Sequence, residues 1–121
     1  MTILSEEKKT PDGRHLMYMK VSGDVTGEET RELLEKTKQT HKIFGAVNML
    51  SIVAPNTKYS AESQRIFTKE FPPYVDRVAA VTTNIIVRAA INFMARIGGQ
   101  SKIIRMFESE QTAMQWLDEP R

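Results

Sequence analysis

Hydrophobic positions change period several times along the chain, and each change marks an element. ILSEEKK (residues 3–9) and RHLMYMKVSG (residues 14–23) flank the turn TPDG. Pro11 fixes φ, Asp12 bonds locally and Gly13 takes a positive φ, so the segment predicts a β-hairpin. In the second strand Leu16 and Tyr18 fall on one face, and Met17, Met19 and Val21 on the other. Apolar residues on both faces predict a central strand. TGEE follows, a capping box with Thr26 as N-cap and Glu29 at N3. Glu28, Glu29 and Glu32 come early in this helix and Lys36, Lys38 and Lys42 late, as the helix dipole prefers. Leu33, Leu34 and Thr37 form its buried stripe, so it covers the sheet from outside.

The near-continuous apolar run IFGAVNMLSIV predicts a strand from Ile43 to about Leu50, buried on both faces. APNTKYS is a loop. Ser60 caps the next helix, AESQRIFTKEF, which stops before Pro72-Pro73 and turns Ile66, Phe67 and Phe71 inward. DRVAAVTT is a short buried strand. A helix follows, with Thr83 or Asn84 at its N-cap and Gly98-Gly99 ending it. KIIRMF is the last strand, and Ser109 starts the last helix, which carries Ala113, Met114, Trp116 and Leu117. The order β-β-α-β-α-β-α-β-α predicts an α/β fold: a mixed five-stranded sheet with about four helices, mostly parallel in its second half.

The third helix has too few polar residues for a helix with one face in water. Asn84, Arg88, Asn92 and Arg96 recur every fourth position, a narrow stripe that drifts by about 40° per step. The remaining surface is apolar, whereas a helix lying on a sheet normally buries a stripe of roughly 100°. Three accounts compete. The helix could be packed internally, against the helices Ser60–Phe71 and Glu110–Leu117. It could form a homodimer face, with Asn92 and Arg96 as polar rim. It could wall an apolar ligand pocket or touch a membrane, with Phe93, Met94 and Ile97 as the lining. Met17, Met19 and Met49 add pliable apolar surface on the strands.

The 121 residues are enough for a hydrophobic core without staples. The absence of cysteine excludes disulfides, thiolate catalysis and cysteine metal sites, and fits a cytoplasmic protein. The N-terminus does not have the pattern of a signal peptide. No apolar run reaches the roughly 20 residues of a membrane helix, so no integral membrane association is expected. The net charge is +2 with both signs interspersed, which gives no nucleic-acid footprint. His15 and His41 lack ligand-spaced partners, so neither a metal nor another cofactor is expected. No nucleophile elbow or phosphate loop is present, and Glu6-Glu7 and Glu28-Glu29 lie on charged segments. Thr82-Thr83-Asn84 is the one polar turn where a buried strand feeds a helix. Its N–H groups, with Arg88 one turn on, could hold an anion, or it is an ordinary turn and cap.

VAAVTTNIIVRAAINFMARIGGQSKIIRMFESEQTAMQWLDE resembles the C-terminal half of the STAS/Sec14-like bacterial domains, relatives of anti-sigma-factor antagonists. The features carrying it are a strand ending in a small polar turn (Val78–Thr83), an apolar helix (Asn84–Ile97), a short strand ending in Phe (Lys102–Phe107), and the run from Glu110 through Ala113 to Trp116-Leu117. The element order extends the likeness to residues 1–121, read as one domain. The resemblance implies helices packed mainly on one face of a small sheet. It further implies a non-enzymatic role, either as a regulatory module that binds itself or a signalling protein, or as a binder of a small apolar or lipid-like ligand. The expected surface comprises Tyr59, Ser60, Phe67, Thr82, Thr83, Asn84, Arg88, Phe93, Met94 and Ile97. STAS regulators carry Asp-Ser before their second helix as a phosphorylation switch. APNTKYSAES has no Asp-Ser, and Thr57 and Ser60 are the nearest candidates.

Overall fold

The computed structural model describes residues 2–121. The N-terminal hairpin consists of β1 (Ile3–Lys9) and β2 (His15–Val21). A two-residue strand β3 (Asp24–Val25) leads into α1 (Gly27–Phe44), and β4 (Val47–Val53) follows. A second short strand, β5 (Lys58–Tyr59), precedes α2 (Ala61–Lys69) and a 3-10 turn over Pro72–Tyr74. The remainder is β6 (Val75–Val81), α3 (Ile85–Ile97), β7 (Ile104–Phe107) and α4 (Glu110–Asp118).

The five long strands form one sheet in the order β1-β2-β4-β6-β7. β1 runs antiparallel to β2, and every other neighbour is parallel. The expected mixed α/β architecture is therefore present, with β2 inside the sheet between β1 and β4, as its two apolar faces predict, and β4 at the middle. β3 and β5 pair separately, in parallel, and tie the segment before α1 to the segment before α2.

Period-2 alternation decides which core each side chain enters. Met17, Met19, Val21 and Met49 pack beneath α1 and α2 with Leu33, Leu34 and Ile66. Val53 and Ala80 continue that face under α3, meeting Val87, Ile91 and Met94. Leu16, Tyr18, Leu50, Ala79 and Val81 face the opposite way and meet Ala113, Trp116 and Leu117 of α4. Three helices thus cover one face and α4 alone covers the other. The expected contact between α3 and α4 does not exist, because the sheet lies between them. A connection between parallel strands of one sheet is constrained in hand, whereas α4 follows the last strand and is not.

Two local expectations are also corrected. Ile43 and Phe44 belong to α1, not to a strand. The buried stripe Thr30, Leu33, Leu34, Thr37 and Thr40 continues at helical spacing, and the helix stops only at Gly45, whose φ is 82°. The capping box is half formed. Thr26 Oγ1 accepts from the Glu29 N–H at 3.2 Å, but the Glu29 carboxylate turns away and accepts from the N–H groups of Thr2 and Ile3 at 2.9 and 3.3 Å. It fastens the start of the edge strand to α1.

α2 is held to α1 by the hydroxyls of Thr30 and Ser63, 2.7 Å apart and buried. It meets α3 where a Cβ on Gly98 would stand 3.1 Å from the Thr68 carbonyl oxygen. The C-terminal turn is strapped to the sheet. Arg121 pairs with Asp76 at 2.7 Å and donates to the Leu117 carbonyl, while Arg77 lies over the Trp116 ring at 5.0 Å.

Candidate functional site

α3 is set by the turn that precedes it. Thr82 is buried, and its hydroxyl accepts from the Asn84 N–H at 3.3 Å. Asn84 is the N-cap: Oδ1 accepts from the N–H groups of Ile86 and Val87 at 2.9 and 3.0 Å. The donors that could have faced an anion are thus partly taken by the chain itself, and the Arg88 guanidinium stands 3.7 Å from the Glu108 carboxylate. Thr83 is exposed beside this turn. The geometry is that of a capped helix with an ion pair one turn on.

The helix buries Val87, Ile91, Met94 and Ala95. Ile85 is 81% exposed, Ile86 79%, Phe93 55% and Ile97 54%. Ala89 lies on the same outer side, flanked by Asn92 and Arg96. Complete internal packing therefore does not account for the apolar excess, since an arc of about 120°, a third of the helix circumference, is apolar and faces outward. Phe93, Met94 and Ile97 all border a groove against α2, but they do not point the same way. At about 100° per residue, Met94 points toward the sheet while Phe93 and Ile97 stand on the outward flank next to α2.

Two concavities meet at Met94. A shallow groove runs between α2 and α3, bordered by Arg65, Lys69, Phe93 and Ile97. Behind it, between the helices and the sheet, is an apolar cavity of about 90 Å³. Met19, Met49 and Met94 reach it from three elements, with Phe67 and Tyr59 at its side. Met94 and Thr68 line both spaces and form the partition. Gln100, buried, donates to the Thr68 carbonyl at 3.2 Å and closes one end. Thr68 and Gln100 were not legible as site residues in the sequence, although a glutamine directly after a Gly-Gly helix stop is a weak pointer to a polar tether. Ordinary ligand pockets measure roughly 300–1,000 Å³, so this cavity holds a few heavy atoms at most without movement of α2 or α3.

Tyr59 and Phe67 meet edge to face at 5.9 Å, and burial pushes the Tyr59 hydroxyl pKa up. Ser60 is exposed at the head of α2, and its hydroxyl accepts from the Ser63 N–H at 3.0 Å. Thr57 is buried, and its hydroxyl donates to the Val21 carbonyl at 3.2 Å. A kinase could reach Ser60 without unfolding the loop, and Thr57 only with it. Tyr59, Ser60, Phe67, Phe93, Met94 and Ile97 are therefore gathered along the α2–α3 side, while Thr82, Thr83, Asn84 and Arg88 sit at one end of it.

Among the described residues no group of three or more His, Asp or Glu side chains could hold a metal ion. His15 stacks on Phe44 at 4.0 Å and His41 meets Tyr74 edge-on at 5.4 Å, so both serve packing. On the opposite face Tyr18 donates to Glu110 at 2.7 Å, a link across 92 residues that no local pattern announces. No helix among the described residues is long and apolar enough to cross a membrane.

A family model described as SpoIIAA-like matches residues 16–118. Among solved structures, the chain is similar to an uncharacterized protein of the DUF3478 family with a SpoIIAA-like fold from Shewanella loihica PV-4. The superposition has a TM-score of 0.72 at 14% identity, covering 95% of this chain and 93% of that one. At that identity the likeness speaks for the fold alone. No curated protein matches the chain.

Proposed function

Since the chain belongs to the SpoIIAA-like family, we propose that it is a non-enzymatic regulatory interaction module of the anti-sigma-factor-antagonist-like type that works through its α2–α3 face and associates with itself. The observation that carries this reading is the uncovered apolar side of α3, with Ile85 and Ile86 about four-fifths exposed. Large apolar side chains are scattered singly on ordinary surfaces. Four of them on one helix, with arginines at the margin, mark a surface that another molecule covers. In this reading a phosphorylation switch falls on Ser60, at the head of α2 and on the same side.

A second reading has its own observation, the cavity lined by Met19, Met49 and Met94. Thioether and aromatic walls suit a small apolar guest. A lipid-like guest requires α2 and α3 to part, because about 90 Å³ does not admit an acyl chain.

Native mass spectrometry of the purified chain over a micromolar concentration series tests both. A dimer that grows with concentration supports the interaction module. A monomer carrying an additional mass supports the ligand reading. A bare monomer throughout counts against self-association and against a retained ligand alike.

A further inference from the structure

The exposed residues of α3 are ordered, and the order is self-complementary. Ile85, Ala89, Phe93 and Ile97 are spaced by four, so they form one continuous ridge along the outer side of the helix. Read in either direction the ridge begins and ends on isoleucine, and its two inner positions are one small residue and one large. Laid antiparallel on a second copy about Ile91, Ile85 meets Ile97 of that copy, and Ala89 meets its Phe93. Each large ring then sits over the gap left by the opposing alanine. A parallel arrangement sets Phe93 against Phe93 and Ala89 against Ala89, a clash beside a void.

Arg96 stands beside the ridge and forms no ion pair among the described residues. In the antiparallel register it falls opposite Ile86 of the second copy and one turn or less from Arg88, whose charge is offset by Glu108 at 3.7 Å, whereas a parallel arrangement sets the two unpaired Arg96 guanidiniums side by side. We propose that the protein forms a two-fold dimer in which α3 packs antiparallel against α3 of a second copy through the ridge Ile85-Ala89-Phe93-Ile97. This deepens, and rests on, the self-association part of the function proposed above. The ridge belongs to a helix only about 20 Å long. The contact is therefore at the small end of specific interfaces and depends on concentration.

The absence of cysteine in the chain makes a direct geometric test available. The full-length variants Ile85→Cys and Ile97→Cys are treated with a short bismaleimide, separately and as an equal mixture, at high micromolar concentration. Positions 85 of the two copies lie about 18 Å apart along the axis in the antiparallel register, beyond the reagent's reach. The expected result is several-fold more cross-linked dimer in the mixture than in either variant alone. Dominant 85–85 and 97–97 products overturn the register but leave self-association standing. No product in any of the three, with wild type sedimenting as a monomer, overturns the dimer and the self-association reading together. The size complementarity is checked independently: Ala89→Phe weakens the dimer at least tenfold, and adding Phe93→Ala restores it to within threefold. Failure of that rescue overturns the pairing of Ala89 with Phe93.

Discussion

Replacing Phe93 with glutamate separates a surface role from a core role, and the magnitudes are far apart. Phe93 leaves 55% of its area in water. Full burial of such a side chain is worth roughly 1.5–3 kcal/mol, so less than half of that, about 1 kcal/mol, is forfeited. The new carboxylate stays solvated, with Arg65 and Lys69 bordering the same groove. For a chain of this length, 1 kcal/mol lowers the melting temperature by roughly 3–5 °C. Ile91, two residues earlier and only 6% exposed, supplies the contrast. Glutamate there buries an unpaired charge, which costs more than about 4 kcal/mol or a shift in pKa that still leaves a polar group in the core. Thermal unfolding of the two variants, each paired with sedimentation, gives the readout. Phe93→Glu should remain folded and lose self-association, while Ile91→Glu should fail to fold cooperatively. A Phe93→Glu variant as damaged as Ile91→Glu would refute the claim that this flank of α3 is uncovered in the monomer.

Three further outcomes follow from side-chain geometry. Ser60→Ala removes the α2 cap and should lower stability by about 1 kcal/mol in denaturant titration, whereas Ser60→Asp keeps an acceptor for the Ser63 N–H and should be nearly neutral. Gly98→Ala sets a methyl 3.1 Å from the Thr68 carbonyl oxygen, and because backbone yields little the variant should unfold at a lower denaturant midpoint. Burial first, and then the hydrogen bond to the Glu110 carboxylate, push the Tyr18 phenol up to about 12 from 10.0. A raised pKa means that the neutral phenol contributes stability in full below about pH 10, and that this contribution is lost as pH rises toward 12. Tyr18→Phe should therefore flatten the decline in melting temperature between those values, and an unchanged alkaline decline would refute the assignment.

Much of the fold was legible because its signals are local and repeat. Leu16 and Tyr18 against Met17, Met19 and Val21 sorted themselves by period two, and the structure sends the two sets into different cores. Ser60, Asn84 and Ser109 were readable as caps because each needs only a side-chain oxygen and an N–H two or three residues on. Ile43 and Phe44 were misread because a β-branched and an aromatic residue before an apolar run look like the start of a strand. Gly45 was the deciding residue, since its φ of 82° ends a helix that had not yet stopped. β3 and β5 have two residues each, too few to show a period. For the site, the apolar excess on α3 was visible as composition. Which side of the helix carries it was not, because that depends on where α2, the sheet and α4 lie. Placing α4 beside α3 erred for the same reason: no pattern within a helix says which face of a distant sheet it will cover. Met94 facing inward while its neighbour Phe93 faces outward follows from that placement.

The strand order β1-β2-β4-β6-β7 has a bearing on how the molecule is made. Strands enter the sheet in the order in which they leave the ribosome, and none must be inserted between two that are already paired. Each new strand extends a growing edge, and its helix closes over the joint just formed. The face that carries Leu16, Tyr18 and Leu50 is different, because Trp116 and Leu117, near the C-terminus of the sequence, are what cover it. A nascent chain can thus assemble one side of the sheet progressively while the other stays apolar and bare until α4 emerges. For that interval its folding depends on how fast the last helix is synthesised.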